Sequence, residues 1–147
     1  IHTRILTSLP ERLDNALLAG LSVLHTPLVI VTHCNHPNEL GDDLRGVFNR
    51  LNTINITLLN QSVLLKDIND DADTLTTLSK QLFQLGILPY YLFLLDPVTG
   101  AAHFHVSETR AKQLYATLQA QLPGYLVPRL SVELPGRPSK TLVNLST

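Results

Sequence analysis

The chain has no methionine, no tryptophan and one cysteine, Cys34. A lone cysteine excludes an internal disulfide framework and points to a reducing compartment, here the cytoplasm. It also excludes a zinc or iron–sulfur site built from this chain's thiolates alone, so no metal site is expected here. Aromatic residues make up 5% and charged residues 16%, and the formal net charge is −1 with no basic patch, which argues against nucleic acid as a partner. No apolar run approaches the ~18 residues of a membrane span, and no signal peptide is visible. No glycine-rich phosphate loop follows any strand-like run, which weakens a dinucleotide-binding reading. The opening Ile1-His2-Thr3-Arg4 reads like the inside of a strand. With methionine absent throughout, the expectation is a piece of a longer protein.

What is present is apolar and periodic. Hydrophobic residues make up 44% of 147 residues, enough for one α/β domain with a buried core. Strand-like runs are expected at 1–6, 27–32, 54–59 and 87–95, with a last one through Leu126, Val127, Leu130, Val132 and Leu134. Helical stripes lie between them. Ser8 is the expected N-cap of the first, whose stripe is Leu13, Leu17, Leu18 and Leu21. Leu40, Leu44, Val47, Phe48 and Leu51 line the second, and Leu75, Leu78, Leu82 and Leu85 the third, with Gly86 as its stop. Ser107 caps the fourth, which carries Ala111, Leu114, Leu118 and Leu122. Strand and helix alternating at this spacing predict parallel βα repeats, either an open doubly wound sheet or an arc of a βα barrel.

The strand ends carry the candidate chemistry. In order they are Arg4, His33, Gln61, Asp96 and Glu133. In a βα barrel such ends line one mouth. Asp96 and Glu133 in one pocket would repel unless a cation lay between them, which suggests a ligand with a distal amine; an acid/base pair or metal ligation remain open. After the last strand, Pro135, Gly136 and Pro138 form a stiff turn leading to Lys140, seven residues beyond Glu133. A lysine held beside an acid is able to form a Schiff base with a carbonyl cofactor, and the plainer alternative is a solvated surface lysine. His103 and His105 lack a third ligand nearby, and Cys34 reads as a packed thiol.

Several motifs resemble one family in order and spacing. They are His33-Cys34-Asn35-His36-Pro37-Asn38-Glu39, Leu59-Asn60-Gln61-Ser62-Val63-Leu64-Leu65, Pro89-Tyr90-Tyr91 with Asp96, Gly124-Tyr125-Leu126-Val127-Pro128 and Pro138-Ser139-Lys140. Together they resemble lysine 2,3-aminomutase of the radical S-adenosylmethionine superfamily, in its C-terminal half only. The ending Pro138-Ser139-Lys140 resembles the bacterial branch whose β-lysine modifies elongation factor P.

The resemblance implies part of a partial TIM-like (βα)6 barrel over residues 1–98, and over residues 99–147 a C-terminal segment packed on it. It implies that Lys140 holds pyridoxal 5′-phosphate as a Schiff base and is the catalytic lysine. Asp96 and Glu133 would grip the distal ammonium of L-lysine, and His33 and Gln61 would lie near S-adenosylmethionine. A 4Fe–4S cluster, ligated outside this chain, would cleave S-adenosylmethionine to a 5′-deoxyadenosyl radical, and the amino group would move from C2 to C3. The cluster motif Cys-x-x-x-Cys-x-x-Cys is absent, and the turn before Lys140 is Pro-Gly-Arg-Pro-Ser where many relatives carry a glycine run. The chain alone is therefore expected to be inactive, and the exposed edges of an arc to favour homo-oligomers. The other readings are an aminomutase for arginine, and a non-catalytic α/β interaction module.

Overall fold

A computed structural model describes residues 1–134 and 136–145. The elements in chain order are β1 (His2–Thr3), α1 (Ile5–Ser8), α2 (Asn15–Ser22), β2 (Leu28–His33), α3 (Leu44–Asn52), β3 (Ile56–Leu64), α4 (Ala72–Gln84), β4 (Leu88–Leu94), α5 (Glu108–Gln121), β5 (Arg129–Val132) and β6 (Thr141–Leu142). One sheet holds all the strands in sequence order; β1 to β5 are parallel and β6 returns antiparallel beside β5.

Period-two burial decides which face the helices cover. Along β3, Leu58, Asn60, Ser62 and Leu64 are buried, while Leu59, Gln61 and Val63 are only half-buried. The buried side meets the helices in two clusters. Ile30 and Leu58 pack with Leu44, Phe48, Leu51, Leu78 and Leu82. Leu64, Leu92 and Leu130 pack with Leu75, Leu114, Leu118 and Leu122. The opposite face carries Val29, Gln61, Tyr91 and Phe93 along alternate positions. Helices on one face of a parallel sheet form the layer of a βα barrel arc, whereas a doubly wound sheet would bury both faces.

The local signals account for most boundaries. Ser107 Oγ accepts from the Arg110 N–H and caps α5 as expected. Gly86 (φ +78°) ends α4, with its N–H on Phe83 and the Ile87 N–H on Leu82, the two bonds of a Schellman turn. The start of the chain differs. Ser8 Oγ bonds back to the Arg4 carbonyl at 2.9 Å at the end of α1, and Asp14 caps α2 through the Leu17 N–H. Leu13 lies in the turn between them, although its side chain is buried. Leu40 precedes α3 by a turn. Strand β3 runs five residues past 59, because Asn60 and Ser62 find buried partners that let polar residues stay in a strand. Leu126 belongs to a 3₁₀ turn before β5, and β6 follows Lys140. Pro135, read as part of the turn before Lys140, lies outside the described residues.

Candidate functional site

The loop after β2 is held by side chains at almost every backbone group. Cys34 N–H donates to Asn60 Oδ1 (2.9 Å), and its carbonyl accepts from Asn60 Nδ2 (3.0 Å) and Ser62 Oγ (2.7 Å). The Asn35 and His36 N–H groups donate to Glu39 Oε1 at 2.7 and 2.8 Å. Asn69, fully buried, donates from Nδ2 to the Asn35 and Val63 carbonyls and accepts from Leu65 N–H at 2.7 Å. Buried amides that satisfy buried backbone make a loop rigid before any ligand arrives. His36 is part of this scaffold: its Nδ1 accepts from Asn38 N–H and caps the 3₁₀ turn Pro37–Glu39. Cys34 is fully buried and its thiol donates to the His36 carbonyl. Burial, then the charge of Glu39, pushes it up to about 12, so it is a packed thiol rather than a nucleophile or a cluster ligand.

His33 ends β2, and Gln61 sits opposite it in register. Gln61, expected at a strand end, stands inside β3, facing the open side of the sheet. Its Nε2 lies 3.4 Å from His33 Nδ1. The other ends of both side chains, His33 Nε2 and Gln61 Oε1, are covered and have no protein partner. Burial first, then the charges of Arg4, His2 and Lys140, hold the His33 imidazole below its ordinary range, so it stays neutral at pH 7.

Lys140 comes back across the same face. Its Nζ lies 3.3 Å from Glu133 Oε1, 4.3 Å from the Phe93 ring centre and 5.1 Å from that of Tyr91. Tyr91 and Phe93 are two apart on β4 and stack at 5.1 Å, giving a flat aromatic floor. Glu133, Arg137, Ser139 and Lys140 border a hollow of about 320 Å³. Gly136 (φ +79°) shapes the turn between the acid and the amine. Asp96 lies beyond β4, the neighbour of β5, and so at the same end of the sheet as Glu133. It borders a separate hollow of about 420 Å³ with Pro97, Thr99 and His105.

The structure thus brings together His33 with Gln61 and Glu133 with Lys140, while Asp96 and Glu133 border different hollows. Arg4 follows Thr3, whose register partner is Thr32, which sets it beside His33. Among the described residues no three histidine, cysteine or acidic side chains cluster as a metal site. Sequence reasoning gave no role to the aromatic floor or to the asparagines behind the loop. Aromatic side chains at i and i+2 of a strand were the available signal for the floor.

The chain's chemistry at this face is a primary amine beside a carboxylate, over stacked rings, with a neutral imidazole nearby. A planar carbonyl cofactor fits that set: an amine to bond it and ring faces to stack on. No family model matches the chain. It is 51% identical over 142 residues to an L-lysine 2,3-aminomutase of Haemophilus influenzae, covering 97% of this chain and 42% of that protein. The corresponding figures for the Escherichia coli L-lysine 2,3-aminomutase are 45%, 145 residues, 99% and 42%. For that of Clostridium subterminale they are 32%, 143 residues, 97% and 34%. The chain spans about two fifths of the length of the first two relatives. Over nearly all of its own length, then, it is a homologue of the L-lysine 2,3-aminomutases and corresponds to a C-terminal portion of that family.

Proposed function

We propose that this chain is the cofactor-lysine portion of an L-lysine 2,3-aminomutase, an isomerase that converts L-lysine to β-lysine, with the product used to modify elongation factor P. The observation that carries this reading is Lys140 Nζ, set 3.3 Å from Glu133 Oε1 and over the Phe93 ring on the open face of the sheet. We assign residues 1–98 to the barrel and 99–147 to the segment that delivers Lys140. The protein works in the cytoplasm, and self-association is supported by apolar side chains such as Val29 and Leu142, 41% and 57% exposed on strands.

Lys140 would hold pyridoxal 5′-phosphate, with Tyr91 and Phe93 beneath it, and His33 and Gln61 would line the place of S-adenosylmethionine. When bound, the first supplies a conjugated ring that spreads an unpaired electron, and the second supplies the hydrogen-abstracting 5′-deoxyadenosyl group, released by a 4Fe–4S cluster ligated outside this chain. The residues of this chain bind and orient. Glu133 holds a cation in the free chain, where the cation is Lys140's own ammonium. Once that amine is engaged by the cofactor, the carboxylate is left for the distal ammonium of L-lysine, and Asp96, at the neighbouring strand end, completes the charge match. Carboxylates at these strand ends would repel an acidic side chain, so glutamate is disfavoured as a substrate. The loop after β2 is held by hydrogen bonds within the chain, which favours near-attack placement of the reacting groups.

The test uses a protein that carries this chain with the remaining length of its relatives. The expected result is conversion of L-lysine to β-lysine, lost in Lys140→Ala, with a raised KM for lysine in Glu133→Gln. Failure to isomerise lysine, or conversion that survives Lys140→Ala, would overturn the reading. The 147-residue chain alone is expected to be inactive.

A further inference from the structure

The parallel strands β1 to β5 all begin at one end of the sheet, and Glu133 and Lys140 lie at the other. At the beginning end two rings stand in water against each other. Phe83, in the last turn of α4, meets Tyr125, in the 3₁₀ turn before β5, at 5.5 Å between ring centres. They stay 46% and 62% exposed, and Leu88, which opens β4 at the same end, stays 39% exposed. Single exposed apolar side chains are ordinary on a protein surface, whereas rings already packed together and left open are what a recognition site offers.

Charge gives this end its character. All twelve acidic residues lie on strand-to-helix connections, in a first helical turn or, for Glu133, just past β5, which sets them toward the other end. Residues 74–95 and 109–132, which supply most of α4 and α5 and all of β4 and β5, contain no Asp or Glu. Helix N-termini favour acids, which accounts for that skew but not for the uncovered rings. Two cations flank the rings. Lys80 stands three residues before Phe83 on α4, and so on the same side of the helix, and Arg129 opens β5 four residues after Tyr125. Both are exposed, and neither has an acidic partner among the described residues.

We propose that this end of the sheet is a docking surface for an acidic peptide segment of another protein, one that carries aromatic or aliphatic side chains. The segment's apolar side chains cover Phe83, Leu88 and Tyr125, and its carboxylates meet Lys80 and Arg129. The charges disfavour the other occupants. A second copy related by a two-fold axis would set these cations against themselves. A lipid surface or a nucleic acid calls for a larger basic cluster, roughly 4–8 Lys or Arg for acidic lipids, than the pair found here. No residue of the candidate site takes part, so the surface stands or falls apart from the aminomutase reading.

The probe is a short synthetic peptide in which glutamates alternate with phenylalanine and leucine, titrated into the 147-residue chain and followed by amide NMR. Signals of Phe83, Leu88 and Tyr125 shift. The peptide binds about tenfold or more tighter than one with serines in place of its apolar residues, or one with lysines in place of its glutamates. Tyr125→Ser and the charge reversals Lys80→Glu and Arg129→Glu, all on exposed side chains, each weaken binding several-fold with circular dichroism unchanged, and added salt weakens it further. Equal binding by either counterpart peptide, or shifts confined to other residues, would overturn the surface. So would shifts at Phe83 and Tyr125 on raising the protein concentration alone, which mark a second copy, or tighter binding to phosphatidylserine vesicles than to the peptide, which marks a membrane. Loss of binding in a protein that carries this chain with the remaining length of its relatives would show the rings covered from within, and would overturn the surface too.

Discussion

Replacing Asn69 by leucine should cost about 3 kcal/mol of stability, although the side chain keeps nearly the same volume. Asn69 is fully buried and makes three bonds to backbone: Leu65 N–H to its Oδ1, and its Nδ2 to the Asn35 and Val63 carbonyls. Each lost bond is worth about 1 kcal/mol net, and a stranded buried N–H costs roughly 1–3 kcal/mol. The leucine's apolar burial offsets part of this. Asn60→Leu should cost less, about 2 kcal/mol, because the Cys34 carbonyl keeps Ser62 Oγ at 2.7 Å and only the Cys34 N–H is stranded. Gln113→Ala, on the exposed side of α5, should stay within about 0.5 kcal/mol of the parent. Urea unfolding followed by circular dichroism gives the order, and amide exchange should quicken at Leu65 in the first variant and at Cys34 in the second. An Asn69→Leu chain as stable as the parent would show that the buried amides do not hold the loop.

Acid should weaken the fold through His33. Its folded-state value lies below the ordinary 6.5, so the unfolded chain takes the proton first, and the stability this residue confers is lost as pH falls below 6.5; His33→Gln should flatten that slope. Alkali acts through Cys34. With its thiol pushed from 9.0 to about 12, stability falls as pH rises between these values, and a thiol reagent at pH 8 should label the chain only at its unfolding rate. Gly86→Ala should cost about 2 kcal/mol, since φ is +78° and the added carbon would meet the Asn52 amide; unchanged urea stability would refute the Schellman stop.

The repeat architecture was legible because its signals are local. Leu75, Leu78, Leu82 and Leu85 mark one helical face, Gly86 its end and Ser107 the next start, and none depends on distant residues. Strand β3 is longer than its sequence suggests, because Asn60, Gln61 and Ser62 look like a loop. Their partners are on Cys34 and His33, about 26 to 28 positions away, which periodicity does not reveal. Ser8 differs for a local reason: serine suits a helix N-cap, but here its hydroxyl bonds backward to the Arg4 carbonyl four positions earlier. At the site, the closeness of Lys140 to Glu133 followed from the turn between them, whereas its seat on Phe93 is a contact across 47 positions that only the folded sheet creates.

The central claim is that Lys140 is the amine that takes a carbonyl cofactor. Incubating the 147-residue chain with pyridoxal 5′-phosphate, reducing with borohydride and mapping peptides by mass spectrometry tests it directly. One label on Lys140, lost in Lys140→Ala and weakened when Phe93 is replaced by alanine, is the predicted result. Labelling spread over Lys66, Lys80 and Lys112 with none favouring Lys140 would contradict it.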